Sequence, residues 1–362
     1  MTDPFADDLR GRVQHRLDAE LDRHERTLAE IGPDVADLLT PVRELLSGGK
    51  RLRAAFAYWG WRAAGQPDDD GAVGVAAAME LFQAAALLHD DVMDDSDTRR
   101  GRPAAHRVLS TAHRERGWLG DGERFGLSGA ILAGNLCLQW CEDLYTGSGL
   151  PPAALMAGRE VFERMRTQLM AGQYLDVVTA VRPWHDLPQQ ERIERARHVI
   201  TYKSAKYSVE HPLLLGATAG GADPDDRAAL SRYGLALGRA FQLRDDVLGV
   251  FGDPASTGKP AGDDLREGKR TVLIARAVAL LSPADAAALD ADLGDPGLSA
   301  ERIAHWQRAL EECGARQAVT DRVAALSARA AEAVGALEAH GVPADVRAEL
   351  TALIEATTTR RH

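Results

Sequence analysis

Five aspartates crowd into eight residues, Asp90, Asp91, Asp94, Asp95 and Asp97, and Arg99, Arg100 and Arg102 follow at once. Like charges four apart on a helix repel, so this density makes sense only beside something strongly positive. Asp90 and Asp94 are i,i+4 neighbours, and Asp91 and Asp94 are i,i+3 neighbours, so three carboxylates converge on one helical edge. An all-oxygen donor set suits a hard divalent cation, and Mg²⁺ typically takes few carboxylates together with substrate phosphates. A second acidic pair, Asp245 and Asp246, lies in F-Q-L-R-D-D-V-L-G-V-F-G-D-P, where Gln242 shares its helical face.

The basic residues point the same way. Of 43 lysines and arginines only five are lysine: Lys50, Lys203, Lys206, Lys259 and Lys269. Lysine is a compact point charge suited to phosphate. Gly48-Gly49-Lys50-Arg51-Leu52-Arg53 is expected to open a helix, with Lys50 and Arg53 on one face of an anion-favouring N-terminus. Thr201-Tyr202-Lys203-Ser204-Ala205-Lys206-Tyr207 groups a lysine, a hydroxyl and a phenol. Gly172-Gln173-Tyr174-Leu175-Asp176 sets polar groups in an apolar helix. Residues 256–271, S-T-G-K-P-A-G-D-D-L-R-E-G-K-R-T, hold Lys259 and Lys269 but do not match the G-x-x-x-x-G-K-[ST] loop. Each cluster is weak alone; beside two acidic helices, metal-bridged phosphate accounts for all of them.

The elements that must carry these residues read as helices. Apolar spacing predicts helices over 7–31, 34–47, from Lys50 to Gly65, and over 71–95. The last is apolar on nearly every face and is expected to be central and buried. Residues 96–126 read as a loop with short helical turns. Further helices are expected over 127–147, 151–181, 189–220 and 224–250, then a Gly/Pro/Asp loop over 252–268 and amphipathic helices over 270–358. Little of the chain alternates with period two, and no linker divides it. The expectation is one all-α domain over 1–362, with its motif-bearing core over 48–271.

Composition sets the outer bounds. The chain has 362 residues, 45% hydrophobic and 27% charged, with a formal charge of -11. That balance argues against non-specific nucleic-acid binding. Cys137, Cys141 and Cys313 give no disulfide framework, so a reducing, cytoplasmic setting is expected. The acidic N-terminus does not read as a signal peptide. No run of about 18 uninterrupted apolar residues occurs, so no membrane span is expected.

In their order, G-G-K-R-L-R, D-D-x-x-D with R-R-G-R-P, G-Q-x-x-D, K-S-x-x-Y, and F-Q-x-R-D-D followed by G-K and D-D-L-R-E-G-K-R-T resemble the trans-isoprenyl diphosphate synthases, the polyprenyl synthetase family. The resemblance implies a helical bundle around a deep central cavity, the isoprenoid synthase type, and a homodimer. It implies head-to-tail joining of isopentenyl diphosphate to an allylic diphosphate. Lys50, Arg53, Gln83 and Arg100 would hold the diphosphate of isopentenyl diphosphate. Asp90 and Asp94 would bind two Mg²⁺ and Asp245 a third, with Asp91 and Asp246 as outer carboxylates. Arg99, Lys203 and Lys259 would contact the allylic diphosphate. Lys203, Ser204 and Gln242 would lie beside the developing carbocation, and Tyr207, Gln173, Asp176, Asp264 and Lys269 would support them. The released diphosphate would take the final proton, so no protein base is required, and His89 is read as structural.

Two positions depart from the family pattern. Gly249 stands at the third acidic position of the second motif, and Ser204 where threonine is common. Asp253 is one residue placed to compensate for Gly249. In this family, bulky residues four or five positions before the first motif stop growth early; here these are Ala86 and Ala85. Phe82 is the next bulky residue down, with Met79 below it, so a C20 product, geranylgeranyl diphosphate, is expected. C15 and longer products remain alternatives, with a neighbouring helix through Trp140 or Leu136 as another floor. Two readings from other classes are a terpene cyclase, which needs no second diphosphate site, and a non-catalytic partner subunit.

Overall fold

The computed structural model describes residues 7–184, 187–253 and 261–358. The fold is all-α, as the sequence predicts, and the described strands amount to one two-residue pair. The chain forms two compact units, Met1–Gly158 with Leu215–Ala222, and Arg159–Leu214 with Asp223–His362.

The first unit is built on α4 (Asp70–Met93), packed by α1 (Asp7–Ala29), α3 (Leu52–Ala63) and α6 (Gly122–Thr146). Asp69 caps α4, its Oδ1 accepting from the amides of Gly71 (2.7 Å) and Ala72 (3.3 Å). Such a cap contributes about 1 kcal/mol. Leu17, Leu21, Phe56, Met79, Leu81, Phe82, Leu144 and Tyr145 are fully buried in this unit. By length and composition α4 could cross a membrane, but 89% of its apolar window is buried inside the protein. It ends because Asp94 caps it and Asp95 turns left-handed, with φ 51.

Three local expectations change here. The segment expected as a helix over 34–47 is a 3₁₀ turn, Pro33–Leu38, followed by α2, Leu39–Leu46. Lys50 does not open a helix with Arg53. Arg51 is left-handed, with φ 53, and α3 starts only at Leu52, so Lys50 lies outside the helix and shares no helical face with Arg53. Residues 96–126 are more ordered than a loop. Thr98–Arg99 (β1) pairs with Arg102–Pro103 (β2), and α5, Ala105–Glu115, follows. Arg100 (φ 54) and Gly101 (φ 74) form the connecting turn, the two-residue hairpin geometry that needs positive φ at both central residues.

In the second unit, α7 (Pro152–Val181) runs on from the first, and α8 (Gln189–Val199) leads into a π-helical segment, Ile200–Glu210. That segment and α9 (His211–Ala219) replace the single α-helix expected over 189–220. Then comes α10 (Pro224–Phe251), capped by Asp223, whose Oδ1 accepts from the amides of Asp225 and Asp226, both at 2.9 Å. A four-residue helix, α11 (Asp263–Arg266), precedes Val272–Leu280, Pro283–Asp292, Ala300–Glu312, Ala315–Ala336 and Ala344–Thr358. Leu243, Val247, Leu265, Leu273, Trp306 and Val319 belong to the core of this unit.

Candidate active site

The acidic edge sits where α4 ends. Asp91 is buried and accepts from Arg99 Nε at 2.7 Å and from its Nη2. Arg99 Nη2 also lies 3.6 Å from Asp90 Oδ2. One arginine therefore neutralises the inward carboxylate and leans on the next. Asp90 and Asp94 keep partial exposure, and the Asp94 amide donates to the Asp90 carbonyl at 2.8 Å. Gln83, Ala86, Leu87 and Asp90 are all partly open on α4, and their spacing of three or four makes them one stripe.

The β1–β2 hairpin aims its two arginines at different partners. Arg99 turns to the acidic edge. Arg100 donates through Nη1 to the carbonyls of Leu45 (3.0 Å) and Gly48 (3.2 Å), next to the glycine pair before Lys50. Burial lowers the Arg100 guanidinium from its ordinary value; Glu80 opposes this, and Arg51, Arg53 and Arg99 add to it. Such a gathering of cations favours an anion. Sequence reasoning missed Arg51 and Glu80, and both organise this corner. Arg51 is buried, donating to the Leu46 carbonyl, to Gln14 and to Glu80 Oε2 (3.4 Å). Glu80 Oε1 accepts from the Ala54 amide at 3.1 Å, in the first turn of α3. The available signal was Glu80 itself, a carboxylate interrupting an apolar helix. Gln83 Oε1 is buried with no hydrogen-bond partner among the described residues.

His89 and His106 are held by this unit's own packing. His89 Nε2 lies 3.1 Å from the Ile131 carbonyl of α6 and donates to it. His106 is buried, and desolvation, then Arg107, lowers its imidazole.

In the second unit, Lys203 on the π segment reaches Asp176 on α7, Nζ to Oδ2 2.6 Å. Gly172 makes this crossing possible. A Cβ there would lie 2.5 Å from the Lys203 nitrogen and the Tyr202 carbonyl carbon. The G-Q-x-x-D and K-S-x-x-Y motifs are thus one packing unit that presents Lys203. Ser204 and Tyr207 are buried beside it in sequence. On α10, Gln242 Nε2 donates to Asp246 Oδ1 at 2.8 Å. Asp245 is exposed, whereas Asp246 is 6% exposed. Burial pushes Asp246 well above the usual carboxylate range, Gln242 opposes this, and Asp264 and Asp245 push it further. Lys269 pairs with Glu267 at 2.6 Å and lies 4.0 Å from Asp264 Oδ1. Lys259 lies outside the described residues.

The donor chemistry fits magnesium. Each acidic edge offers oxygen donors only, and each has one buried carboxylate behind a more open one. No group of three or more His, Cys, Asp or Glu side chains forms a ready cation cage among the described residues. Mg²⁺ takes one or two carboxylates with waters and substrate phosphates, so open pairs suffice.

The pattern of the polyprenyl synthetase family matches residues 35–310. A short chain isoprenyl diphosphate synthase of Methanothermobacter thermautotrophicus is 33% identical over 79% of this chain and 81% of its own length. A geranylgeranyl diphosphate synthase of Sulfolobus acidocaldarius is 31% identical over 75% of this chain and 71% of its own. The solved structure of a geranylgeranyl pyrophosphate synthase from Corynebacterium glutamicum, complexed with isoprenyl diphosphate and magnesium, is 40% identical. It covers 100% of both chains with a TM-score of 0.90.

Proposed function

The chain belongs to the polyprenyl synthetase family and is a prenyltransferase, and from that premise we propose that it condenses isopentenyl diphosphate with allylic diphosphates head to tail, up to C20 geranylgeranyl diphosphate. The observation that carries the reading is the juxtaposition in the first unit. Arg100 donates to the Leu45 and Gly48 carbonyls just before Lys50, while its neighbour Arg99 pairs with Asp91 and lies 3.6 Å from Asp90 on the acidic edge. We read it as an anion site beside a cation site.

On this reading Lys50, Arg53, Arg100 and Gln83 bind the diphosphate of isopentenyl diphosphate, Gln83 as a donor through its Nε2 amide. Arg99, Lys203, Lys259 and Lys269 serve the allylic diphosphate. Magnesium held by Asp90, Asp94 and Asp245, three ions in all, would stabilise the negative charge that develops on that diphosphate. Arg99 and Gln242 orient the carboxylates Asp91 and Asp246 behind those ligands. As the allylic C–O bond breaks, the cationic side chains stabilise the departing diphosphate. The Ser204 hydroxyl and the Gln242 amide place dipoles beside the allylic cation in an apolar, water-poor cavity. The terminal double bond of isopentenyl diphosphate attacks that cation, and diphosphate accepts the proton lost afterwards.

For product length, Ala86 is partly open on the α4 stripe, Ala85 is fully buried, and Phe82 is 1% exposed below them. Phe82 as the floor gives C20. A second reading has support from helix geometry: at about 100° per residue, Phe82 lies about 80° from the line through Asp90, and Met79 only about 20°. Met79 as the floor would permit a longer product. Trp140 stacks on His24 at 4.5 Å, which engages it elsewhere.

One polyprenyl synthetase domain spans both compact units on this reading, as the family match through 35–310 supports. We also place a second copy of the chain against exposed apolar side chains, which each unit carries. Met170, Tyr174, Val177 and Val181 form a helical stripe on α7, and Phe125 and Leu132 are exposed on α6. The cytoplasm is the compartment that fits three cysteines without a disulfide framework. The test is product analysis of the purified protein with Mg²⁺, labelled isopentenyl diphosphate and C5, C10 and C15 allylic primers. A C20 diphosphate is expected. Cyclic hydrocarbon from one prenyl diphosphate would instead establish a cyclase, and inactivity of the lone chain a partner subunit.

A further inference from the structure

The second acidic motif, Asp245-Asp246-Val247-Leu248-Gly249, has no carboxylate at its fifth position. We propose that Asp264, carried by α11, supplies the missing carboxylate, and that Gly249 is the residue that admits it. This rests on the diphosphate-transfer reading above.

The geometry is specific. A Cβ built on Gly249 would lie 2.6 Å from Asp264 Oδ1, with Cγ and Oδ2 closer still. The Asp264 carboxylate thus occupies the space that a side chain at 249 would fill. An aspartate at 249 and the aspartate at 264 are alternative ways to bring one carboxylate to one place. Beside it, Asp246 is 6% exposed, and its Oδ2 has no hydrogen-bond partner among the described residues.

Asp264 is also held in place. Gly262 turns the chain with φ 71, and the Leu265 amide donates to its carbonyl at 3.0 Å. Leu265 is buried, and its carbonyl accepts from the Gly294 amide at 2.9 Å. The Lys269 amide donates to the Asp264 carbonyl at 3.0 Å. Asp253, four residues beyond Gly249, is exposed and follows the C-cap Gly252. Asp264, not Asp253, therefore completes the motif, and it does so from the chain segment that also carries Lys269.

The experiment uses the full chain, Mn²⁺ as a magnetic probe, and inorganic diphosphate. Mn²⁺ affinity and stoichiometry are read by electron paramagnetic resonance, and folding by thermal melting without metal. Asp264→Asn is expected to weaken Mn²⁺ uptake in the presence of diphosphate by about tenfold, the low end for groups supporting a metal site. The exchanged pair, Gly249→Asp with Asp264→Ser, is expected to restore affinity to within about threefold, below that range. If the unmodified protein binds no Mn²⁺ with diphosphate, the diphosphate-transfer reading itself fails. If it binds and Asp264→Asn binds equally well, only the present inference is overturned. It is also overturned if Asp264→Asn melts early and the exchanged pair recovers melting but not Mn²⁺ affinity.

Discussion

His211 shows what burial does to a single group. Its side chain is buried, its Nδ1 has no hydrogen-bond partner among the described residues, and its imidazole is pushed down to about 3. Desolvation is the largest cause, and Lys206 and Arg164 add to it. Between that value and the ordinary histidine range near 6.5, the unfolded chain binds a proton that the folded chain refuses. Stability therefore rises with pH through this window and is lost as pH falls from about 6.5, by up to about 1.4 kcal/mol per pH unit. Urea unfolding is expected at a lower midpoint at pH 5 than at pH 7, with the gap narrowed in His211→Gln. An equal gap in both proteins would remove His211 as the cause. Arg99 and Asp91 make the opposite point about burial. Each is tolerable there because of the other, and removing one partner of such a pair typically costs about 3–5 kcal/mol.

At the scale of elements, α4 was legible because its apolar run and its carboxylates leave no other reading for a 24-residue helix. The pairing of Gly172-Gln173-x-x-Asp176 with Lys203 was legible as two motifs but not as one crossing, since residues on two helices carry no spacing signal between them. The π segment was hidden for a similar reason. Its extra residue per turn barely alters the apolar pattern over 11 residues. The hairpin escaped notice because β1 and β2 have two residues each and an arginine takes one left-handed turn position. Asp264 over Gly249 is a contact between positions fifteen apart, visible only once the chain is folded. The helix that was easiest to read also permits the sharpest test of chain length. If Phe82 is the floor, Phe82→Leu lengthens the product and Met79→Ala leaves it at C20. If Met79 is the floor, the responses exchange. Chromatography of the dephosphorylated alcohols distinguishes the two, and Leu is used at 82 because truncating a buried Phe to Ala costs about 3–5 kcal/mol.

For the whole molecule, apolar spacing indicated an all-α chain and composition a large core, and the described residues match that. Neither gave an account of the surface. The exposed stripe Met170, Tyr174, Val177 and Val181 is apolar area that water disfavours. If the proposed homodimer uses this stripe, Tyr174→Glu combined with Val177→Glu is expected to halve the particle mass seen by light scattering, without loss of helical circular dichroism. An unchanged mass would move the self-association surface elsewhere.

The β1–β2 hairpin ties these scales together. Arg99 and Arg100 are neighbours on one backbone, separated from Arg102 only by Gly101, and they address different partners, the Asp91 carboxylate and the Leu45 and Gly48 carbonyls. On the proposed function these two arginines serve different diphosphates, so one short backbone segment is common to both sites. Any coupling through it is reciprocal, each occupant changing the affinity of the other by the same factor.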